Sequence, residues 1–308
     1  MALYSAISIV AIGALVAGSA GMVGCFLILR RLAMLGDAIS HAVLPGIAIA
    51  FLLTGDRAGP AMLLGAAALG LTATFLIETL GNAGVQEDAG IGVTFTALFA
   101  LGILLISLFA GRVHLDLDHV LYGEIAYAPW DQLIAAGRAL GPRSIWIMGA
   151  VFLLDLAVIG LFFKELKLCA FDPQMAAVAG IHVPFFHYLL MGLVSVTTVG
   201  AFDSVGAVLV VAMLVLPGAT AYLLSQRLTT MLALSLLQGA ISSLLGYLLA
   251  WALDASIAAS MAVVSGTLFL TAFLLAPGTG LLSRLRQRAA GSGKGRLELR
   301  CGAQHRRD

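Results

Sequence analysis

Asp37 and His41 stand four residues apart in the segment Gly36-Asp37-Ala38-Ile39-Ser40-His41-Ala42-Val43-Leu44-Pro45-Gly46, in a chain that is 61% hydrophobic and 11% charged. On a helix, residues at this spacing share a face, so a carboxylate and an imidazole point the same way. An oxygen and a nitrogen donor of these types suit a divalent transition metal. Leu44, Ile47, Ala48, Ile49, Ala50, Phe51, Leu52 and Leu53 continue the segment as an apolar run. An ionised Asp at the centre of a membrane helix costs roughly 2.5–3.5 kcal/mol on insertion scales, so Asp37 calls for a partner or a function. The competing reading makes Asp37 the N-cap of a helix beginning at Ala38, with His41 hydrogen-bonded inside the bundle.

Other polar groups carry weaker signals. His114-Leu115-Asp116-Leu117-Asp118-His119 alternates like an exposed extended segment with one solvated face, and a metal-attracting vestibule is the alternative. His182 and His187 flank Pro184 at the start of an apolar run, where interfacial packing accounts for both. Asp203 falls at an expected break between runs, and Asp155 has no partner visible in the sequence. Cys25, Cys169 and Cys301 are far apart and form no CxxC, which suggests neither a disulfide framework nor a structural zinc site. Gly291-Ser292-Gly293-Lys294-Gly295 is not a phosphate-binding loop, because Arg288 and Gly295 occupy the places that need Gly and Ser or Thr. Neither HExxH nor Gly-x-Ser-x-Gly occurs, which disfavours an intramembrane protease or hydrolase.

The elements that must position Asp37 and His41 are membrane spans. A mean hydropathy of +1.04 over 308 residues indicates an all-α polytopic membrane protein. Apolar runs near 2–29, 33–53, 60–80, 91–110, 144–164, 184–202, 204–224, 230–252 and 257–276 predict about nine spans, or eight if a helix breaks near Asp203. The N-terminus lacks a basic region, so the first run reads as a retained span rather than a cleaved signal. Arg30-Arg31, Lys164 with Lys167, Arg227 and the basic residues from Arg284 to Arg307 fall on one side under this count. That asymmetry places the N-terminus outside and the C-terminus in the cytoplasm. The net charge of +1 gives no reason to expect a nucleic-acid partner. Small-residue spacings such as Ala14-x-x-x-Gly18 and Ala17-x-x-x-Gly21 predict close helix packing. On the cytoplasmic side, Asp172 is a plausible N-cap before Pro173, and Gly180 ends a short helix of two turns.

Three blocks resemble the permease subunits of ABC importers for zinc, manganese and iron, the ABC-3 family. Arg31 to Gly46 is similar to that family's most recognisable segment. Phe171 to Val183 is similar to its coupling helix, and Val205 to Ala219 to its later pore-lining segment. The resemblance implies a type II-like ABC importer fold over 1–285, with a coupling helix at about 171–183; the last twenty or so residues match nothing in the family, and 286–308 reads from its basic residues as a cytoplasmic tail expected to be disordered. It implies a homodimer in the lipid of the bacterial cytoplasmic (inner) membrane, served by separate ABC ATPase subunits and by an extracellular or periplasmic metal-binding protein. Asp37 and His41 are then the expected metal ligands, and Phe171, Asp172, Pro173, Ala179 and Gly180 the expected contacts to the ATPase. His114, Asp116, Asp118 and His119 become a second-tier vestibule or a contact for the delivery protein. No permanently bound cofactor is implied, only a transported divalent metal, and the chain is not itself an enzyme. Val120-Leu121-Tyr122-Gly123-Glu124 is more similar to manganese or iron members than to zinc members, which favours manganese. A stand-alone proton-coupled carrier or channel is the alternative, and gene neighbourhood would separate the two.

Overall fold

The computed structural model describes residues 2–54, 60–109, 125–135 and 138–276. The expected vestibule residues His114, Asp116, Asp118 and His119, and the tail from 286, lie outside them. Helix α1 covers Ala2–Leu29, α2 Ala33–Ala42, α3 Leu44–Thr54, α4 Pro60–Asn82 and α5 Glu87–Phe109. Strands β1 (Gln132–Ala135) and β2 (Arg138–Pro142) then pair antiparallel, with Gln132 opposite Pro142 and Ala135 opposite Arg138. Next come α6 (Arg143–Leu161), α7 (Phe163–Phe171), α8 (Pro173–Val178), α9 (Val183–Leu224), α10 (Leu228–Leu253) and α11 (Ile257–Leu275). Among the described residues nine segments are long and apolar enough to cross a membrane, from Tyr4–Leu29 to Ile257–Leu275.

Two of those segments are interrupted. Pro45 has no N–H to give the carbonyl of His41, four residues earlier, and its ring crowds that carbonyl, so the second span is divided at Val43 into α2 and α3. The long helix α9 contains the break expected near Asp203, placed three residues later at Gly206, where φ is 76° and ψ 166°. That region is open in practice only to glycine; the kink falls near the start of the second of the two spans Val183–Phe202 and Ser204–Leu224, which follow one another without a loop.

The core is built around α1. Ile12, Val16, Ala20, Val23 and Phe26 are fully buried, against α9 and α10 above all. The small-residue stripe packs as its spacing suggests: Gly18 faces Phe152 of α6, Gly21 faces Pro217 of α9, and Ala17 lies against Gly239 of α10. The outer helices instead turn large apolar side chains outward, among them Leu64, Phe75, Leu104, Leu108, Leu153 and Leu161. In water such a surface would be an association hazard, whereas in a bilayer it is the surface that faces acyl chains.

Candidate metal site and docking helix

Asp37 is the fifth residue of α2, which begins at Ala33 behind Leu32, a cap without a side-chain hydrogen bond. This overturns the capping reading of Asp37, whose carboxylate is inside a helix and one turn before His41. The His41 Nε2 atom lies 3.8 Å from Asp37 Oδ1. That separation is too long for a hydrogen bond, so neither group is consumed by the other. Two donors about 2.0–2.2 Å from a common ion stand at most about 4.2 Å apart, so the pair can reach one metal. Both side chains are open, Asp37 47% and His41 28% exposed. Among the described residues no third His, Cys, Asp or Glu joins them to make a group of three.

The imidazole is held from α5. Its ring centroid is 5.3 Å from that of Phe95 and 5.9 Å from that of Phe99, the latter nearly edge-on at 85°. Sequence reasoning missed these two rings, although Phe95 and Phe99 stand at the same i, i+4 spacing as the pair they face.

The short helix α8 covers Pro173–Val178, less than two turns and shorter than the expected 171–183, with Phe171 closing α7 instead. Its caps are those the sequence suggests. Asp172 accepts from Met175 N at 2.9 Å, Pro173 takes the first turn, and Gly180 adopts φ 82°. The Gly180 and Ile181 N–H groups donate to Ala177 and Ala176 carbonyls at 3.1 and 3.0 Å, and Ala179 lies between cap and turn. Ala176 alone is buried, while Phe171, Met175 and Val178 are exposed, Val178 by 85%. A capped, rigid helix with apolar side chains turned outward is suited to receiving a protein partner.

A further polar cluster joins three elements at the Arg30 end of α1. Arg30 Nη1 is 3.4 Å from His187 Nδ1, His187 Nε2 is 3.1 Å from Glu78 Oε1, and Tyr188 donates its hydroxyl to Glu78 Oε2. Burial pulls the Arg30 guanidinium down from its ordinary value, with the neighbouring Cys169 opposing the shift. Glu78 is the only charged residue of α4, and an acid within a span is the signal that could have found it. Asp155 is fully buried in α6 and finds the partner its sequence context did not reveal, accepting from Thr197 Oγ1 at 2.8 Å.

Three comparisons bear on this arrangement. The model of the ABC 3 transport family matches residues 4–276. The manganese transport system membrane protein MntD of Bacillus subtilis is 49% identical over 276 residues, covering 90% of this chain and 94% of that protein. The zinc transport system membrane protein TroD of Treponema pallidum is 42% identical over 277 residues, covering 90% of this chain and 75% of its own length. Among solved structures, a chain of PsaBC from Streptococcus pneumoniae in complex with Fab superposes with a TM-score of 0.75 at 37% identity, covering 88% of this chain and 92% of that one.

Proposed function

We propose that this chain, which belongs to the ABC 3 transport family, is the membrane-spanning permease of an ATP-driven importer of divalent transition metal, with manganese its favoured cargo. It is not an enzyme; ATP hydrolysis belongs to a separate ATPase, and a substrate-binding protein delivers the ion. The observation that carries this reading is the open Asp37–His41 pair, two ligands aligned on one face of a helix inside a bundle of spans. An oxygen and nitrogen donor set without thiolate suits Mn(II), Zn(II) and Fe(II) and disfavours Cu(I). Sequence relatives named for manganese, in MntD and others, support manganese over the zinc named in TroD.

Helix α8 is the surface on which the ATPase docks, through Phe171, Asp172, Pro173, Ala179 and Gly180. Arg30-Arg31, Lys164, Lys167 and Arg227 flank spans at ends that face this side, which supports a cytoplasmic docking helix and C-terminus with the N-terminus outside. A second copy of the chain completes the metal site across a two-fold axis. A stand-alone carrier would have no use for the exposed apolar helix α8. His114, Asp116, Asp118 and His119 belong to the outer stretch that would meet the ion or its delivery protein.

Uptake of radioactive manganese and zinc by cells carrying the complete transporter tests the proposal. Asp37→Asn and His41→Ala, at matched membrane levels, are each expected to lower uptake at least about tenfold while leaving ATPase docking intact. Unchanged uptake in both variants would remove the pair from the ion path.

A further inference from the structure

Arg30, His187, Glu78 and Tyr188 take no part in the Asp37–His41 pair, yet Arg30 stands three residues before the helix that carries that pair, and His187 and Tyr188 stand in the helix that follows the docking helix. The guanidinium can only donate, so His187 Nδ1, 3.4 Å from Arg30 Nη1, is an acceptor and the ring hydrogen resides on Nε2. That nitrogen faces Glu78 Oε1 at 3.1 Å, out of line for a full hydrogen bond, while Tyr188 holds the other carboxylate oxygen. The cluster thus ties the end of α1 and the body of α4 to the second turn of α9.

Both ends of this tie are short and stiff. From α8 the chain reaches α9 through Ala179 to His182, and His182 caps α9 by accepting from Phe185 N at 3.2 Å. Four residues thus separate α8 from the turns that hold His187. At the other end, Arg30, Arg31 and Leu32 donate to Phe26, Ile28 and Leu27 carbonyls at 3.0, 3.0 and 2.8 Å, a closed turn with Arg31 at φ 61°. Helix α2 begins at the next residue and carries Asp37 just over one turn in.

The present arrangement satisfies Arg30 only in part. Its Nε and Nη2, the two donors that form the side-on fork of a guanidinium, are buried without a hydrogen-bond partner among the described residues. A carboxylate is the group that fits such a fork with two parallel bonds, and the carboxylate at hand is that of Glu78, one imidazole away. A carboxylate able to pass from Tyr188 and His187 to the Arg30 fork would make the cluster a two-state element.

We propose that Arg30, His187 and Glu78 are positioning residues that transmit movement of the docking segment to the helix bearing Asp37 and His41, Glu78 exchanging between the His187–Tyr188 side and the Arg30 fork. The proposal rests on the importer reading above. It is tested with the complete transporter of permease, ATPase and binding protein in proteoliposomes, by measuring manganese taken up per ATP hydrolysed and, separately, manganese binding to the permease. Glu78→Gln and Arg30→Gln are each expected to lower uptake per ATP about tenfold, with metal binding within about twofold of the parent. Arg30→Lys is expected to recover only part, because an ammonium lacks the fork. The double variant is expected to be little worse than either single one, since both break the same link. Tyr188→Phe, which keeps the ring and loses one hydrogen bond, gives a smaller loss and reports on the cluster if the charged variants fail to reach the membrane. Unchanged uptake per ATP in Glu78→Gln or in Tyr188→Phe overturns the proposal, as do multiplicative losses in the double variant. Absence of ATP-dependent manganese uptake by the parent transporter would instead overturn the importer reading.

Discussion

The imidazole of His41 packs against the adjacent rings of Phe95 and Phe99, the three centroids lying 5.3, 5.9 and 6.1 Å apart, while its Nε2 lies 3.8 Å from Asp37 Oδ1. Ring contacts of this kind are worth about 0.5–1.5 kcal/mol each, so Phe95→Ala should weaken manganese binding about two- to tenfold without removing a ligand. Phe95→Leu, which refills much of the space, should lose less. Titration of manganese into the purified permease measures both, and equal affinity in Phe95→Ala and the parent would mean that the rings only fill space. Asp37 is the more open of the two at 47%, and its place is mid-helix rather than at a cap. The sequence displayed the pair through its spacing but could not decide between ligand and cap. That choice depended on where the helix starts, and Leu32, with no side-chain cap, gives no local signal of a start. Glu78 was legible in principle as the sole charge of α4, whereas its contacts with His187 and Tyr188 span more than a hundred residues of sequence.

Apolar runs of spanning length are legible because a bilayer demands continuous apolar side chains on a backbone whose polar groups are satisfied within each helix, a constraint written residue by residue. Breaks and caps depend on finer conformational needs. Gly206 was one of many glycines until its φ of 76° and ψ of 166° distinguished it, and Gly206→Ala should cost about 1–3 kcal/mol in that Gly-only region. Thermal unfolding of the purified variant in detergent should show the loss, and an unshifted midpoint would mean that the two halves of α9 can rejoin differently. At Gly180 a Cβ meets nothing within 4 Å among the described residues, so the cost is that of its φ of 82°. Gly180→Ala should therefore lose about 1–2 kcal/mol of local helix-end stability and stay functional. Gly180→Trp adds bulk that only a docked partner can feel, so it should abolish transport and ATPase stimulation together. A Gly180→Trp permease that still stimulates its ATPase would remove α8 from the docking surface. The hairpin of β1 and β2 was not foreseen. Its strands are four and five residues long and lie between two apolar runs, without a sustained alternating pattern.

For the whole molecule, the decisive quantity under the proposed function is the number of candidate ligands one chain supplies. Divalent transition metals are commonly held by four or more donors, and the described residues of one chain bring two together. Asp37 and His41 remain 47% and 28% exposed, which leaves them accessible to the same pair on a second copy across a two-fold axis. Such sharing predicts one manganese per two chains in the purified complex, measurable by metal analysis against protein. It also predicts how mixtures behave. Where parent chains and Asp37→Asn, His41→Ala chains are present in equal amounts and pair at random, about a quarter of dimers carry two parent chains. Uptake should then fall to about a quarter of the parent level if one site needs both copies, but only to about half if each copy carries its own complete site. A result near half, together with one metal per chain, would mean that the remaining ligands come from within the chain.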